Sequence, residues 1–285
     1  MKITAVVVLF NPQSELTQNI MSYVKYVDFL YLIDNSTEYN QALIEKVLAL
    51  NKNIVYINNN GNKGIANALN QGIDYAQKKQ SQWLLTMDQD SRFEDFSAYI
   101  HCIKNFTHFE KIAIFAPNIV EETNTTNCEY TFRDIVITSG NIINISYIED
   151  IGQFEEKLFI DEIDHDFCLR ISIKGYKIVH FQQQYLIHAI GELTEHTSLI
   201  LKKKKMKSSH SHHRVYYQTR NRLYMAQNYS KSFSNNFSYS KVLYKVLYKK
   251  TFRIIQWEEN KLLKLKAILY GVKDFLTNKY GAYDA

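Results

Sequence analysis

Short apolar runs alternate with amphipathic stretches through the first part of the chain. The apolar runs resemble strands and cover residues 2–10, 29–33, 54–57 and 83–87. Stretches with helical spacing lie between them, at residues 15–26, 43–50 and 64–78. Because strands that alternate with helices of this length form βαβ units, the pattern predicts an α/β domain with a doubly wound beginning.

Polar residues follow three of these predicted strands at the point where each ends. Asn11, Asp34 and Asp88 take these positions, and Asp90 comes two residues after Asp88. In an open α/β sheet, ligands bind beyond the carboxyl ends of the strands, so a ligand site is expected at this edge. Asp88 and Asp90 would repel each other without a cation, and Mg²⁺ or Mn²⁺ accepts such oxygen ligands. The alternative is that Asp90 and Ser91 cap a helix.

A glycine-containing turn at residues 62–72 opens the third predicted helix. Gly64 permits close approach of the backbone, and Ala66 and Ala68 let the helix pack tightly on the sheet. The helix N-terminus would face the same sheet edge and favour an anion. An ordinary turn before a packing helix explains the same residues, and both interpretations stay open.

The chain changes character after residue 92. We predict a buried strand at residues 112–116, a polar surface excursion at residues 118–130, and a tight turn at residues 138–141. Residues 152–177 are dense in acids, and a helix is expected to begin at Asp164 and end at Gly175. Acids at a helix start interact well with its dipole. Alternatively, one of them acts as a general base.

Histidine and arginine supply further candidates. His188 follows a strand-like run at residues 185–187, although a lone histidine is more often structural than a ligand. Residues 210–221 bring Arg214 and Arg220 to helical spacing. Such arginines could grip a diphosphate in bidentate fashion, or they could form ion pairs with acids elsewhere in the chain.

The tail at residues 239–280 predicts two helices. In the first, a basic stripe recurs every four residues: Lys241, Lys245, Lys249 and Arg253. Apolar residues flank this stripe, with tyrosines at the border. Basic amphipathic helices of this kind lie on anionic membrane surfaces. The alternative is that the apolar face packs on the rest of the protein.

Charge is distributed unevenly along the chain. From Leu199 onward there are 19 Lys and Arg against 4 Asp and Glu, or +15. The preceding part therefore holds 15 basic and 25 acidic residues, or −10, and the sum is +5. A basic end on an acidic body suggests an anionic partner, such as a membrane surface, phosphates or nucleic acid. No nucleic-acid motif accompanies it.

The cysteines and the apolar runs bound the class of protein. Cys102, Cys128 and Cys168 are odd in number and show no C-x-x-C spacing. We therefore expect a reducing compartment, without a disulfide framework or a zinc site. The apolar run at residues 5–10 is too short for a signal peptide, and no stretch approaches the length that crosses a bilayer.

Eight segments, in consistent order, resemble glycosyltransferase family 2, the inverting enzymes with the GT-A fold, and within it the bacterial rhamnosyltransferases. They are residues 6–12, 32–36, 62–72, 87–91, 138–141, 152–170, 188–192 and 214–221. Residues 265–274 also look like the C-terminal helix of that subgroup. The resemblance implies an α/β protein with the GT-A fold. Its Rossmann-like nucleotide-binding half would carry a mixed central sheet, and basic amphipathic helices would follow at the C-terminus.

The resemblance also implies a domain organisation. Residues 1–230 would form the catalytic domain, with the nucleotide-sugar-binding half at residues 1–92 and the acceptor-binding half at residues 93–230. Residues 231–285 would form a helical extension that associates with the membrane. The two departures from the family pattern are Leu69, where many relatives have arginine, and Ile163 before Asp164, where a glutamate is common.

Roles for individual residues follow from the resemblance as expectations. Asp164 would be the catalytic base, with Asp161 and Asp166 as competitors, and Asp90 and His188 would be metal ligands. The residues expected to bind the nucleotide sugar are Phe10, Asn11, Asp34, Asn62, Lys63, Asp88, Arg214 and Arg220. Asp88 would hold the ribose or the metal. The residues expected to contact the acceptor or the sugar are Ser139, Gly140 and Asp161.

The function implied is inverting transfer of a sugar from a nucleotide sugar to a saccharide acceptor, with Mg²⁺ or Mn²⁺ as cofactor. The subgroup favours dTDP-L-rhamnose as donor, with UDP-hexoses as the alternative. The acceptor would be a saccharide, commonly lipid-linked, in the synthesis of a bacterial cell-surface polysaccharide such as O-antigen or capsule. The enzyme would be cytoplasmic and peripheral at the inner face of the cell membrane, without a nucleic-acid partner. A homodimer is left open.

Two rival functions fit the sequence less well. A sugar nucleotidyltransferase needs a Gly-rich basic loop directly after the first strand, and residues 10–13 contain none. A non-catalytic basic module that binds membranes would leave the acids at Asp88 and Asp164 unexplained.

Overall fold

The computed structural model describes residues 1–107, 111–119, 127–188, 193–197, 204–208 and 210–283. The chain divides into two compact units. The first unit comprises Met1–Glu155 and Asp164–Ala189, and the second comprises Glu156–Ile163 and Ile190–Ala285. The predicted functional boundaries at residues 92/93 and 230/231 concern substrate binding and remain predictions.

The first unit opens with parallel strands separated by helices. In chain order these are β1 (Ile3–Leu9), α1 (Leu16–Met21), β2 (Phe29–Asp34), α2 (Gln41–Leu48), β3 (Ile54–Asn58), α3 (Ile65–Lys78) and β4 (Trp83–Asp88). The strands lie in the order β3–β2–β1–β4, and each neighbouring pair is parallel. The predicted doubly wound beginning is confirmed. The single helix expected at residues 15–26 ends at Met21, and a 3₁₀ turn follows at Val24–Tyr26.

The remainder of the first unit extends this sheet. Its elements are β5 (Ser91–Phe93), α4 (Phe96–Lys104), β6 (Ile112–Asn118), β7 (Tyr130–Phe132), β8 (Asn141–Asn144), α5 (Ile148–Ile151), α6 (Ile163–Ile173) and β9 (Lys177–His188). β8 is antiparallel to both β4 and β6, β9 is parallel to β6, and β5 and β7 are antiparallel to β9. The sheet is therefore mixed, as expected. Most of the predicted excursion at residues 118–130 lies outside the described residues.

Helix α3 packs on β1 with no space for a side chain at Gly72. A Cβ atom there would lie 2.6 Å from the Cβ of Val6, which is closer than real Cβ contacts. Ala66 and Ala68 are also completely buried, as the tight packing predicted from the sequence requires. The close approach holds the start of α3 beside the ends of the neighbouring strands.

A disulfide joins Cys102 to Cys128, so the expectation of no disulfide is wrong. Cys102 lies on the buried face of α4, and Cys128 lies shortly before β7, with 5.3 Å between their Cα atoms. The odd number of cysteines was a poor guide to disulfide bonding, because Cys168 is buried and free while the other two cysteines pair. A cross-link that closes a loop of this length restricts the unfolded chain and contributes about 3.5 kcal/mol in the entropic description.

The second unit is mainly helical. Its elements are the antiparallel hairpin β10 (Leu193–Thr197) and β11 (Lys204–Ser208), then α7 (His212–Tyr229), α8 (Ser234–Phe237), α9 (Tyr239–Leu243), a π-helical segment (Tyr244–Lys250), α10 (Thr251–Trp257) and α11 (Lys261–Leu276). A buried cluster that includes Tyr216, Ile254 and Ile268 joins α7, α10 and α11. Two helical stretches are found in the tail as predicted, although the first contains the π-helical segment. Across the described residues, no helix has the length and apolarity to cross a membrane.

Candidate active site

Three potential metal ligands meet at the carboxyl end of β4. Asp88 ends β4, Asp90 follows it, and His188 ends β9. One ligand atom from each lies within 4.8 Å of the other two. Two ligands of one Mg²⁺ ion lie at most about 4.2 Å apart, because each sits 2.0–2.1 Å from the ion. The three residues could therefore hold a divalent cation after their side chains draw together.

The pairing of β5 with β9 brings His188 to the two acids. In that antiparallel register Ser91 lies opposite His188, and the Ser91 hydroxyl is 2.6 Å from His188 Nδ1. His188 Nδ1 also lies 3.4 Å from Asp90 Oδ1. The Ser91 hydroxyl can donate to Nδ1 or accept from it, according to the tautomer, and the ring nitrogen without hydrogen keeps a lone pair for a metal. Ser91 is a residue that the sequence analysis did not assign to the site.

The helix-cap alternative for Asp90 and Ser91 is wrong. Ser91 begins a strand, and the cap of the next helix is Asp95, whose carboxylate accepts hydrogen bonds from the backbone of Ser97 and Ala98. Asp90 is exposed at the strand edge. Its position is therefore explained by the cluster with Asp88 and His188, and not by helix capping.

Gln89 holds the loop between the two acids. Its side chain accepts a hydrogen bond from the backbone N–H of Phe10 at 2.8 Å and donates one to the Phe10 carbonyl at 3.0 Å. The side chain of Asn19 donates to the Gln89 carbonyl at 2.9 Å. Asn11 follows with a positive φ, and its N–H donates to the Ser36 hydroxyl. The ends of β1, β2 and β4 are thus tied together where the ligand site was predicted.

The turn at residues 138–140 supports β4 from the other side. The Gly140 N–H donates to the Thr86 carbonyl at 2.8 Å, and the Asp88 N–H donates to the Ser139 hydroxyl at 3.0 Å. Gly140 has φ +83°, and a Cβ there would lie 2.7 Å from the Pro117 ring. Both residues of the turn are buried, so their visible role is to position Asp88. Their contact with a sugar stays a prediction.

Asp34 is buried at the end of β2 and already has two partners. One carboxylate oxygen accepts the Ser36 N–H at 2.8 Å, and the other accepts the Tyr56 hydroxyl at 2.7 Å. Burial and the hydrogen bond to Asp34 raise the pKa of Tyr56 well above its usual value. Tyr56 therefore remains a donor at neutral pH, and Asp34 is held rigidly for the predicted contact with a nucleotide.

Amide side chains fix the turn before α3. Asn35 accepts a hydrogen bond from Asn59 at 2.9 Å and donates to the Gly64 carbonyl at 3.0 Å. The Gly64 N–H donates to the side chain of Asn62 at 2.9 Å. Asn62 and Lys63 are exposed beside this network, where the nucleotide contact was predicted. Asn35 and Asn59 were missed, although both follow strand ends in the sequence.

Asp164 and Asp166 both lie in the first turn of helix α6, but their surroundings differ. Asp164 is partly exposed in the first turn, where it accepts the N–H of His165 at 2.9 Å. Asp166 is almost completely buried and forms an ion pair with Arg170 at 2.9 Å. Its burial and its pairing with Arg170 keep Asp166 away from an incoming hydroxyl. Of these two acids, Asp164 fits the predicted role.

The second unit contains the third competitor, Asp161. Its carboxylate forms an ion pair with Arg214 at 3.0 Å, and the adjacent Glu162 forms one with Arg222 at 2.8 Å. Asp161 and Glu162 both have positive φ, near +65°. Residues in this region persist only where the surrounding structure holds them. The two ion pairs help to stabilise this backbone conformation. About half of the Arg214 side chain remains exposed.

Arg220 corrects one prediction. The residue is completely buried, and its five N–H groups donate to the Asn221 side chain, the Tyr216 hydroxyl and the carbonyls of Gly281, Lys157 and Leu158. No donor is left for a diphosphate, so the predicted nucleotide contact is wrong for Arg220. Asn221 likewise donates to carbonyls of the segment Glu156–Ile163. Both residues hold that segment in place.

The amino-acid sequence is similar to a known protein family and to a known protein. Residues 4–168 match the family model described as Glycosyl transferase family 2. The chain is also 27% identical over 209 residues to dTDP-rhamnosyl transferase RfbF of Shigella flexneri, and the match covers 67% of this chain and 70% of that protein.

Solved structures share the fold at low sequence identity. GalNAc-T7, determined with UDP, GalNAc and Mn²⁺, matches 66% of this chain and 44% of its own at a TM-score of 0.56 and 15% identity. The mannosyltransferase PcManGT of Pyrobaculum calidifontis, in complex with GDP-Man and Mn²⁺, matches 97% of this chain and 75% of its own at a TM-score of 0.56 and 10% identity. These likenesses agree with the predicted α/β GT-A architecture.

Proposed function

The chain belongs to glycosyl transferase family 2, and on that premise we propose that it is a metal-dependent, inverting hexosyltransferase that acts on a nucleotide-sugar donor. The cluster of Asp88, Asp90 and His188 supports this proposal, because these three side chains at the carboxyl ends of strands could hold a hard divalent cation. A bound Mg²⁺ or Mn²⁺ would supply positive charge where the diphosphate departs.

The residues of the first unit support a single displacement. Asp164 accepts the proton of an acceptor hydroxyl as that oxygen attacks the anomeric carbon from the face opposite the nucleotide. The bond from the anomeric carbon to the diphosphate oxygen breaks, and its electron pair leaves with the nucleotide. Help from a general base of this kind is worth about 10²–10⁴-fold in rate. The partial exposure of Asp164, against the near-complete burial of Asp166, favours Asp164 for this role.

For the donor we propose dTDP-L-rhamnose, with UDP-hexoses as the alternative. The likeness to a dTDP-rhamnosyl transferase over 67% of the chain supports this choice. Asp34 and the exposed pair Asn62 and Lys63 would contact the base and ribose, since they lie at strand ends and in the turn before α3. The acceptor we propose is a saccharide, commonly lipid-linked, that is extended in the synthesis of a bacterial cell-surface polysaccharide.

Attachment to an anionic membrane surface is a further part of the proposal. In the helical stretch Tyr239–Trp257, the side chains of Val242, Val246 and Ile254 are buried, so one face packs inward. Tyr244, Leu247 and Tyr248 are exposed on the same stretch, beside Lys245 and Lys249. Exposed aromatic and apolar groups next to lysines are typical of helices that lie in a membrane interface. Each lysine near such a surface is worth about 1 kcal/mol.

Donor hydrolysis by the purified full chain tests the proposed activity. The donors are dTDP-L-rhamnose, UDP-glucose and UDP-galactose, each with Mn²⁺, with Mg²⁺ and with EDTA, and the release of nucleoside diphosphate is measured. We expect release from one donor, dependent on metal and increased by a saccharide acceptor. The absence of release from every donor in the presence of metal, or an undiminished rate in EDTA, would contradict the proposal.

A further inference from the structure

A groove in the second unit is lined almost entirely by cations. Its volume is about 260 Å³, and its lining consists of His210, Gln218, Arg222, Lys245, Val246, Lys249, Lys250 and Arg253. Six of these eight side chains carry a positive charge or gain one on protonation, and no acid is among them. A concave surface with one sign of charge concentrates ions of the opposite sign.

Lys250 lies deepest among these lysines and faces neutral partners. Its ammonium group donates to the Gln218 side chain at 2.9 Å and to the Val215 carbonyl at 3.4 Å. Burial first, and the charge of Arg253 second, lower the pKa of Lys250 to about 8. Asp161, Glu258 and Glu162 act in the opposite direction without cancelling this effect. The protonated amine is therefore short of negative charge in the structure.

The other cations differ in how much of their charge is already balanced. Arg222 pairs with Glu162 at 2.8 Å, and Arg253 pairs with Glu258 at 2.9 Å. Among the described residues, Lys245 and Lys249 form no ion pair. Three lysines of the groove thus lack a bonded carboxylate. A single carboxylate ligand would balance only part of that charge, whereas a phosphate monoester or a diphosphate would balance most of it.

The backbone brings these lysines to one face. Lys245, Lys249 and Lys250 all belong to the π-helical segment Tyr244–Lys250. Hydrogen bonds from i to i+5 place Lys245 and Lys250 one turn apart with Lys249 beside them, whereas an α-helix would turn Lys250 away from Lys245. Stretches of π-helix are rare and occur frequently at functional sites. The π-helical segment thus gathers the three lysines that line the groove.

We propose that this groove binds the phosphoryl group of a phosphate monoester or a diphosphate. Arg222 and Arg253 supply planar guanidinium groups at its wall, and Lys245, Lys249 and Lys250 supply point charges, the combination that suits phosphate oxygens. The phosphoryl group can belong to a soluble compound or to a membrane lipid headgroup, since the chemistry is shared. The inference goes beyond sugar transfer and does not depend on it, because the binding can be measured without donor or metal.

Pyrophosphate binding by the full-length protein tests the site. Titration is performed calorimetrically in EDTA at constant ionic strength, which removes the contribution of the predicted cation site. We expect saturable binding that weakens at least tenfold in Lys245→Gln/Lys249→Gln. The matched control, Lys231→Gln/Lys241→Gln, removes two lysines of the same unit outside the groove and should change the affinity less than twofold. Circular dichroism checks that both variants are folded.

Two results would overturn the proposal. One is pyrophosphate binding that is absent or does not saturate. The other is equal weakening in the groove variant and the control variant, which would show a diffuse effect of net charge.

Vesicles then identify the source of the phosphate. Phosphatidic acid presents a phosphate monoester, and phosphatidylglycerol presents a diester, so the two are compared at equal surface charge. A lipid ligand predicts stronger binding to phosphatidic acid, competition by pyrophosphate, and loss in the groove variant. A soluble ligand predicts pyrophosphate binding that neither vesicle displaces. Equal binding to both vesicles without competition by pyrophosphate would contradict a discrete site for the headgroup.

Discussion

Two acids of the second unit and two acids of the first unit have different kinds of partners. In the second unit, Asp161 and Glu162 each form an ion pair with an arginine. In the first unit, Asp88 and Asp90 gather beside His188 in a loop that amide and backbone hydrogen bonds hold. Arginines therefore neutralise Asp161 and Glu162 in the second unit, whereas Asp88 and Asp90 concentrate negative charge in the first unit where a cation would bind.

The excess cations of the second unit complete the contrast. The lysines that line its groove outnumber the carboxylates that pair there, so that site favours an anion. The net charge of the sequence differs in the same sense, at −10 before Leu199 and +15 from it onward. The acid cluster favours a cation and the cationic groove favours an anion. Substitutions in one site can therefore be compared with substitutions in the other.

The largest expected effect is on the proton acceptor, Asp164. Asp164→Asn should lower kcat by about 10²–10⁴-fold, because an amide cannot accept the acceptor proton. Donor binding should persist, since the proposed contact is with the acceptor. Asp161→Asn, the neighbouring acid that is paired with Arg214, should lose less than tenfold. For each variant, single-turnover kinetics measures the rate and calorimetry measures the donor affinity.

Asp166→Asn serves as the structural control for Asp164. Its partner Arg170 would lose a buried counter-charge, so the thermal midpoint should fall while the folded fraction retains chemistry. If Asp161→Asn or Asp166→Asn abolishes turnover in folded protein and Asp164→Asn retains it, the assignment of the base moves.

The next effect concerns the cation site. Asp90→Asn should lower the rate by about 10²-fold or more and weaken Mn²⁺ binding, because one anionic oxygen ligand is lost. The fold should be unaffected, since Asp90 is exposed. Glu94→Gln removes an exposed acid close by in the sequence and should leave both quantities unchanged. Near-normal activity with excess EDTA present would exclude a metal role for Asp90.

Part of this arrangement could be predicted from sequence because it is local. Asp34 and Asp88 each follow a buried apolar run, and the position of a strand end is visible in the hydrophobic pattern alone. His188 is different, because it reaches Ser91 through strand pairing across 97 residues. Only the family resemblance pointed to it, since periodicity contains no information on which strands pair.

Other features depended on packing that no local pattern records. Arg220 has helical spacing suited to a ligand, yet the backbone of Glu156–Ile163 uses its donors. The partnership of Cys102 and Cys128 depends on where α4 meets the segment before β7. The groove at Lys250 depends on a π-helical segment, which a periodicity of 3.6 residues does not predict.

A smaller effect is expected for membrane attachment. Tyr244→Ala/Leu247→Ala/Tyr248→Ala removes three exposed side chains beside the lysines and should reduce sedimentation with anionic vesicles severalfold, since shallow apolar insertion is lost. Pyrophosphate binding should persist, because none of the three residues lines the groove. Wild-type protein should be released at high salt, as screened charges require. Equal sedimentation of wild type and variant would argue that charge alone holds the protein on the vesicles.

The smallest effect is the pH dependence that Lys250 introduces. Its pKa of about 8 lies below the usual value of about 10.4, so folding disfavours its charged form. The resulting loss of stability is fully present below pH 8 and disappears as the pH rises toward the pKa of the Lys250 side chain in the unfolded chain.

Lys250→Gln should therefore gain stability relative to wild type at pH 7, about 2–4 °C in Tm if the effect is about 1 kcal/mol. The lost hydrogen bonds to Gln218 and Val215 lower the stability of the variant by a similar amount across this pH range. The decline of the difference between pH 8 and pH 10 is therefore the diagnostic quantity. Lys249→Gln should show no such decline, because Lys249 is exposed. A difference between wild type and Lys250→Gln that stays constant from pH 7 to pH 10 would show that the ammonium group is already balanced in the groove.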